Sequence, residues 1–190
     1  MGQILLGLLL VFFKTNINFL DIGIAYYLTN LIGYILVFFG VRALGRKYES
    51  IEKVQPLVVF MIFHSLSFLI LNASGNSPLT LPLDTYLAII SYVGLGFVIA
   101  GMFMVFVITS RLLEGLENEQ GETPHTRRLK RLCAGMMTTY VLAGMFYFLF
   151  SMVPEITQIL MGVLMLLKII FLVEFYHIFL KSEAGVIEER

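Results

Sequence analysis

The chain has 190 residues, of which 58% are hydrophobic and only 14% are charged, whereas soluble domains carry about 25% charged residues. Thirteen basic residues balance thirteen acidic ones, and this neutral balance argues against a nucleic-acid-binding protein. The single cysteine, Cys133, excludes a disulfide framework and a cysteine-cluster metal site.

Six apolar stretches follow one another along the chain, and each predicts a membrane-spanning helix. A bilayer core of about 30 Å needs about 17–25 helical residues, and all stretches but the first reach that length. The first is interrupted at Lys14 and spans only if its helix continues to Leu20. It lacks a basic start and a small-residue cleavage site, so we expect a retained helix rather than a cleaved signal peptide. The predicted helices cover residues 2–20, 22–41, 56–72, 84–110, 132–151 and 154–180.

Polar segments between the stretches mark the helix ends. Pro56 and Pro154 stand where helices begin, a position that tolerates a missing N–H. The turn before Pro154 is short, which makes the last two helices antiparallel neighbours. Residues 114–126 are polar and of mixed charge, so we interpret them as a solvated connector.

The basic residues predict the orientation in the membrane. Segments 42–55 and 111–131 are rich in Lys and Arg, whereas the loop 73–84 contains neither. Short loops rich in Lys and Arg remain cytoplasmic. The expected fold is therefore an all-α polytopic transmembrane bundle with both termini cytoplasmic. It forms one transmembrane domain, 1–181, followed by a short cytoplasmic tail, 182–190.

Polar residues within the spans are the candidate functional residues, because intramembrane polarity is expensive. Counting about 1.5 Å per residue predicts Lys168 about 21 Å below the outer surface and His64 about 12 Å from the inner one. Thr139 and Tyr34 fall near the depth of His64, and Asn30 lies nearer the middle of the membrane. These five residues form a predicted polar layer in the cytoplasmic half of the bundle.

Lys168 is the most informative of them, and three interpretations remain open: an interior-facing amine with polar partners, a snorkelling side chain, and an intersubunit contact. A helical side chain leans toward the N-terminus of its helix, which here points deeper into the membrane. His64 fits a hydrogen-bonded packing residue better than a ligand. Glu174 and His177 have a metal-ligand spacing, yet no further inward-facing glutamates accompany them. We predict no catalytic residue, no metal site and no cofactor.

Small residues predict close helix packing on two of the spans. They are Gly96, Ala100 and Gly101 on one helix and Ala134, Gly135, Ala143 and Gly144 on the next. This pattern favours a compact bundle over loosely associated anchors.

One segment carries a family resemblance. Phe12-Phe13, then 16–18 (Asn-Ile-Asn), 32–36 (Ile-Gly-Tyr-Ile-Leu) and Gly40 precede the basic loop. In these residues the chain resembles a family of small, uncharacterised multi-span membrane proteins of Bacillus-like and clostridial bacteria. The resemblance implies a multi-pass protein of the bacterial plasma membrane and implies no activity.

The sequence favours a non-enzymatic accessory or partner-binding membrane subunit. Its expected contacts are the lipid bilayer and either another membrane protein or a second copy of the chain, without nucleic acid. One alternative is a small transporter or channel whose polar layer surrounds Lys168 and His64. Another is an intramembrane enzyme with one of these two residues as base. The enzyme signatures of hydrolases, zinc proteases and nucleotide-binding proteins do not occur in the sequence.

Overall fold

The computed structural model describes residues 1–12, 23–75, 87–121, 123–150 and 154–181. Within these ranges every regular element is helical and no strand occurs, so the prediction of an all-α chain is confirmed. The helices are α1 (Gly2–Phe12), α2 (Ile24–Gly45), α3 (Glu49–Glu52), α4 (Gln55–Ala73), α5 (Leu87–Gln120), α6 (Pro124–Leu149) and α7 (Pro154–Tyr176). A π-helical turn, His177–Lys181, follows α7.

Five helical segments are long and apolar enough to span a membrane. They are Ile24–Gly45, Glu49–Ala73, Ser91–Glu119, Pro124–Leu149 and Pro154–Leu180, and they match the second to sixth predicted spans. Of the first predicted span, residues 2–20, the structure describes only α1. Its 11 residues are too few to cross a bilayer core. Residues 13–22 and the tail 182–190 lie outside the described ranges, so the crossing of the membrane by the first stretch and the cytoplasmic position of both termini stay predictions.

The connection between α5 and α6 differs from the prediction. We expected a helix ending near residue 110, a connector over 114–126 and a new helix from 132. Instead α5 continues to Gln120, because its polar extension is rich in leucine and glutamate, which are strong helix formers. α6 begins at Pro124, where Thr123 and Thr126 form a capping box: the Thr126 N–H donates to Thr123 Oγ1 at 3.1 Å, and the Thr123 N–H donates to Thr126 Oγ1 at 3.0 Å.

Ion pairs fasten α5, α6 and α7 at this charged end. Lys130 of α6 pairs with Glu117 of α5 at 2.6 Å, and Arg128 of α6 pairs with Glu174 of α7 at 2.9 Å. Glu174, one half of the metal-like pair noted in the sequence, thus contacts a cation of the neighbouring helix.

Glycines bring the backbones of α1 and α2 together. A Cβ on Gly7 would lie 2.6 Å from the carbonyl oxygen of Gly33, and a Cβ on Gly33 would lie 2.9 Å from the carbonyl oxygen of Gly7. About two turns further along α2, a Cβ on Gly40 would meet the side chain and the backbone nitrogen of Ile4. Close backbone approach through small residues is a usual mode of helix association in lipid, so α1 is a packed part of the bundle.

Aromatic rings fill the centre of the bundle, and large aliphatic and aromatic side chains cover its outside. The Phe12 ring lies 5.9 Å from the rings of both Phe106 and Phe171. On the outside, Phe63 is 64% exposed and Leu149 is 67% exposed. Exposed apolar faces on the long helices suit contact with lipid, which is compatible with an integral membrane protein.

Candidate functional site

Lys168 faces the aromatic centre of the bundle. Its Nζ lies 5.9 Å from the ring centroid of Phe12 in α1 and 5.8 Å from that of Phe106 in α5. Among the described residues, no carboxylate lies within 4 Å of this amine. Aromatic faces attract a cation by about 2 kcal/mol when the pair is desolvated. The amine therefore finds its partners in rings rather than in a salt bridge.

His64 packs its ring directly onto α5. Nε2 lies 3.0 Å from the carbonyl oxygen of Phe97, and since a carbonyl only accepts, Nε2 carries the proton and donates. A Cβ at Gly101 would collide with the imidazole, so only a glycine at that position leaves room for the ring. The Phe68 ring lies 4.7 Å away on the other side. This geometry joins α4 to α5.

The structure places Lys168 and His64 against different turns of α5. His64 contacts Phe97 and Gly101, whereas Lys168 contacts Phe106. Five residues separate Gly101 from Phe106, which is about 7.5 Å along the helix. The two side chains therefore meet α5 at different levels.

Thr139 and Tyr34 lie in different environments. Thr139 Oγ1 donates to the carbonyl oxygen of Gly135 at 2.8 Å, one turn back in its own helix, so its hydroxyl is satisfied locally. Tyr34 is buried in α2, with 2% of its surface exposed.

Asn30, which the sequence analysis assigned to the polar layer, belongs to a cluster of buried polar side chains between α2 and α4. The sequence analysis did not predict the other members of this cluster. The Asn30 side chain hydrogen-bonds with that of Tyr26, but its Oδ1 has no partner, and the same is true of Tyr27 Oη and Ser65 Oγ. The Tyr27 ring stacks on that of Phe68, with centroids 5.8 Å apart.

The antiparallel register aligns these unpartnered atoms. α3 joins α2 to α4, and Asn30 lies three residues nearer that connection than Tyr27. Ser65 likewise lies three residues nearer it than Phe68. Since Tyr27 meets Phe68, Asn30 and Ser65 lie at one level of the interface. The signal that could have revealed them is the spacing of Tyr27 and Asn30, which places both on one helix face.

An apolar groove of about 600 Å³ opens between α5 and α6. It is lined by Gly96, Ile99, Ala100, Phe103, Tyr140, Val141, Gly144, Met145, Phe148 and Leu149. Tyr140 closes its inner side, since its hydroxyl donates to the carbonyl oxygen of Ile99 at 3.3 Å. A Cβ at Gly96 would have no atom within 4 Å. The small residues noted in the sequence thus have two roles: Gly101 accommodates His64, and Gly96 lines an open surface.

No family model, curated protein or solved structure matches the chain. Groups of three or more histidine, cysteine or acidic side chains that could hold a metal do not occur among the described residues. The five apolar helices are those of a multi-pass membrane protein.

Proposed function

We propose that the protein is a non-enzymatic subunit of the bacterial cytoplasmic membrane that binds a transmembrane helix of another membrane protein. In this proposal the chain spans the membrane six times, with both termini in the cytoplasm. The observation that carries it is the apolar groove between α5 and α6.

Three features of the groove support a helix as its occupant. Its lining is almost wholly apolar. Met145 and Phe148 of the lining, and Phe97 beside it, are each about half exposed. Gly96, Ala100 and Gly144 lie along it, and small residues let two helix backbones approach closely in lipid. α5 and α6 also continue past the groove on one side, as charged helical segments. A partner helix can therefore contact both helices over more than the length of the groove.

The test fills the groove without disturbing the bundle. Gly96→Leu places a side chain where the fold leaves open space. Gly162→Leu is the matched control, because Gly162 lies exposed on α7 and its Cβ position is also open. Each variant is purified from its native membrane in a mild detergent, and the mass of the complex is measured.

We expect a stoichiometric second protein with the wild type and with Gly162→Leu, and its loss with Gly96→Leu. A lone chain, or a complex that survives Gly96→Leu, would contradict the proposal. A homo-oligomer lost only with Gly96→Leu would identify a second copy of the chain as the occupant instead.

A second candidate function, a small transporter or channel, is favoured by one observation: the amine of Lys168 faces the interior of the bundle between Phe12 and Phe106. Interior-facing charges mark ion and substrate pathways in membrane proteins. Ion and solute flux in liposomes tests this candidate, with Lys168→Met as the variant and Lys168→Arg as the charge-preserving control. Flux that is unchanged in Lys168→Met argues against it.

A further inference from the structure

A polar cavity of about 270 Å³ lies where α3 and the start of α4 meet the charged end of α5. Its lining residues are Ser50, Lys53, Val54, Leu57, Arg111, Glu114, Gly115 and Asn118. Val54 and Gly115 are buried and form the floor, whereas Lys53, Arg111 and Asn118 are exposed and form the rim. The cavity therefore opens to the surroundings through its charged side.

Gly115 sets the distance between α3 and α5 at this cavity. A Cβ there would lie 3.2 Å from Cγ1 of Ile51 and 3.3 Å from the carbonyl oxygen of Ser50. The backbone N–H of Ser50 also donates to Glu119 Oε1 at 3.3 Å. These contacts hold the cavity walls together.

The charges of the lining favour an anion. Arg111 Nη1 pairs with Glu114 Oε2 at 3.1 Å, while Lys53 has no carboxylate of the described residues within 4 Å. Two cations against one carboxylate leave the lining with one net positive charge. The Ser50 hydroxyl and the Asn118 amide add neutral donors. α4 also begins here without a side-chain cap, so the positive end of its dipole lies beside the cavity.

The cavity lies at the boundary between the apolar and the charged surface of the bundle. Leu57 belongs to its lining, and Phe60, one turn further along α4, is 49% exposed. On the other wall, the charged extension of α5 begins at Arg111. Basic pockets between helices at this level suit lipid headgroups, with the acyl chains running along the exposed face of α4.

We propose that this cavity binds the phosphate group of an anionic phospholipid, with Lys53 and Arg111 contacting the phosphate oxygens. Charge-assisted hydrogen bonds of this kind are about twice as strong as neutral ones. Free inorganic phosphate offers the same anionic oxygens, and the test below separates the two sources. The proposal does not depend on the groove between α5 and α6.

The test measures lipid binding to the delipidated full-length protein by native mass spectrometry. Phosphatidylglycerol and phosphatidylcholine with identical acyl chains are titrated, and inorganic phosphate is titrated separately by calorimetry. We expect one phosphatidylglycerol to bind about tenfold more tightly than phosphatidylcholine, a difference within the range of a charge-assisted hydrogen bond. The double variant Lys53→Gln with Arg111→Gln loses this preference. The matched control, Arg46→Gln with Lys47→Gln, removes two exposed charges outside the cavity lining and keeps it.

A variant that binds the lipid more tightly shows that the effects of the substitutions come from the cavity and not from general damage to the fold. Glu114→Gln removes the one carboxylate of the lining and releases Arg111, so phosphatidylglycerol binds several-fold more tightly. Inorganic phosphate binding as tightly as the lipid assigns the site to free phosphate, and weaker binding assigns it to the headgroup. Phosphatidylcholine has the same phosphate, but its choline cation cancels the net charge. The proposal is overturned if neither phosphatidylglycerol nor inorganic phosphate binds more tightly than phosphatidylcholine, or if the control pair loses as much affinity as the cavity pair.

Discussion

The imidazole of His64 occupies the space that a side chain at position 101 would fill, and it donates from Nε2 to the carbonyl oxygen of Phe97 at 3.0 Å. A glycine on α5 and a histidine on α4 therefore form one packing unit. The hydrogen bond ties the imidazole of α4 to the backbone of α5.

This unit predicts that Gly101→Ala destabilises the bundle. The new methyl group forces the ring away from α5, and overpacking of this kind costs about 1–3 kcal/mol. Thermal unfolding in detergent measures the effect, with Gly162→Ala as the control at an open position. The double variant with His64→Ala is expected to lose less stability than the sum of the single variants. A strictly additive sum would contradict the packing unit.

The contact between α1 and α2 predicts a similar loss for Gly33→Ala. Its Cβ would lie 2.6 Å from Cγ2 of Val11 and 2.9 Å from the carbonyl oxygen of Gly7. Because a backbone carbonyl does not rotate away as a side chain does, we expect a cost of about 2–3 kcal/mol. Denaturant or thermal unfolding in detergent measures it. Gly96→Ala is the control, and an equal loss in both variants would argue against the close approach of the two helices.

Lys168→Met is expected to stabilise the protein by about 1 kcal/mol. A cation in the middle of a membrane-spanning helix raises the free energy of the folded protein by about 2.5–3.5 kcal/mol. Its attraction to the rings of Phe12 and Phe106 offsets about 2 kcal/mol of this. Methionine has a similar length and no charge. Unfolding by a denaturing detergent measures the change. Lys168→Glu is the opposing variant and is expected to destabilise strongly, since the ring faces repel a carboxylate. A loss of stability in Lys168→Met would indicate a polar partner for the amine.

Ser65→Ala is expected to leave stability unchanged or to raise it by up to about 1 kcal/mol. The Ser65 hydroxyl is fully buried without a partner, and an unpaired buried hydroxyl is costly. Ser67→Ala, at an exposed position of the same helix, is the control and is expected to be neutral. A clear loss in Ser65→Ala alone would indicate a bound water that bridges Ser65 and Asn30.

The apolar stretches predict the spans well but not the ends of all the helices. Pro154 begins α7 as expected, because proline suits a first helical turn. Hydropathy marks where the chain leaves the lipid, however, and not where the helix stops. The residues after Arg111 mix leucine with charged and polar residues and are still helical, which is why α5 exceeds its predicted end by ten residues.

The candidate site was predictable only in part. Counting residues predicts a depth for Lys168 and for His64, but depth identifies neither the neighbouring helix nor the helical turn that a side chain contacts. The contact of Gly33 with Gly7 was equally hidden, because the residues around Gly7 are apolar on almost every face and do not indicate which helix Gly7 meets. Asn30 and Ser65 lie at the same level of the interface because of the register of α2 against α4, and a single sequence does not specify that register.

The length of α5 has a consequence for labelling the protein. Its 34 residues measure about 51 Å, whereas the hydrocarbon core is about 30 Å thick. Since charged residues begin at Arg111, most of the excess emerges at that end and carries the α5–α6 turn about 14 Å beyond Arg111. Gly121 in this turn is exposed, has a φ of +81° and has open space where a side chain would begin. An epitope inserted there is expected to be tolerated, and the side from which an antibody reaches it reports the orientation of the whole bundle.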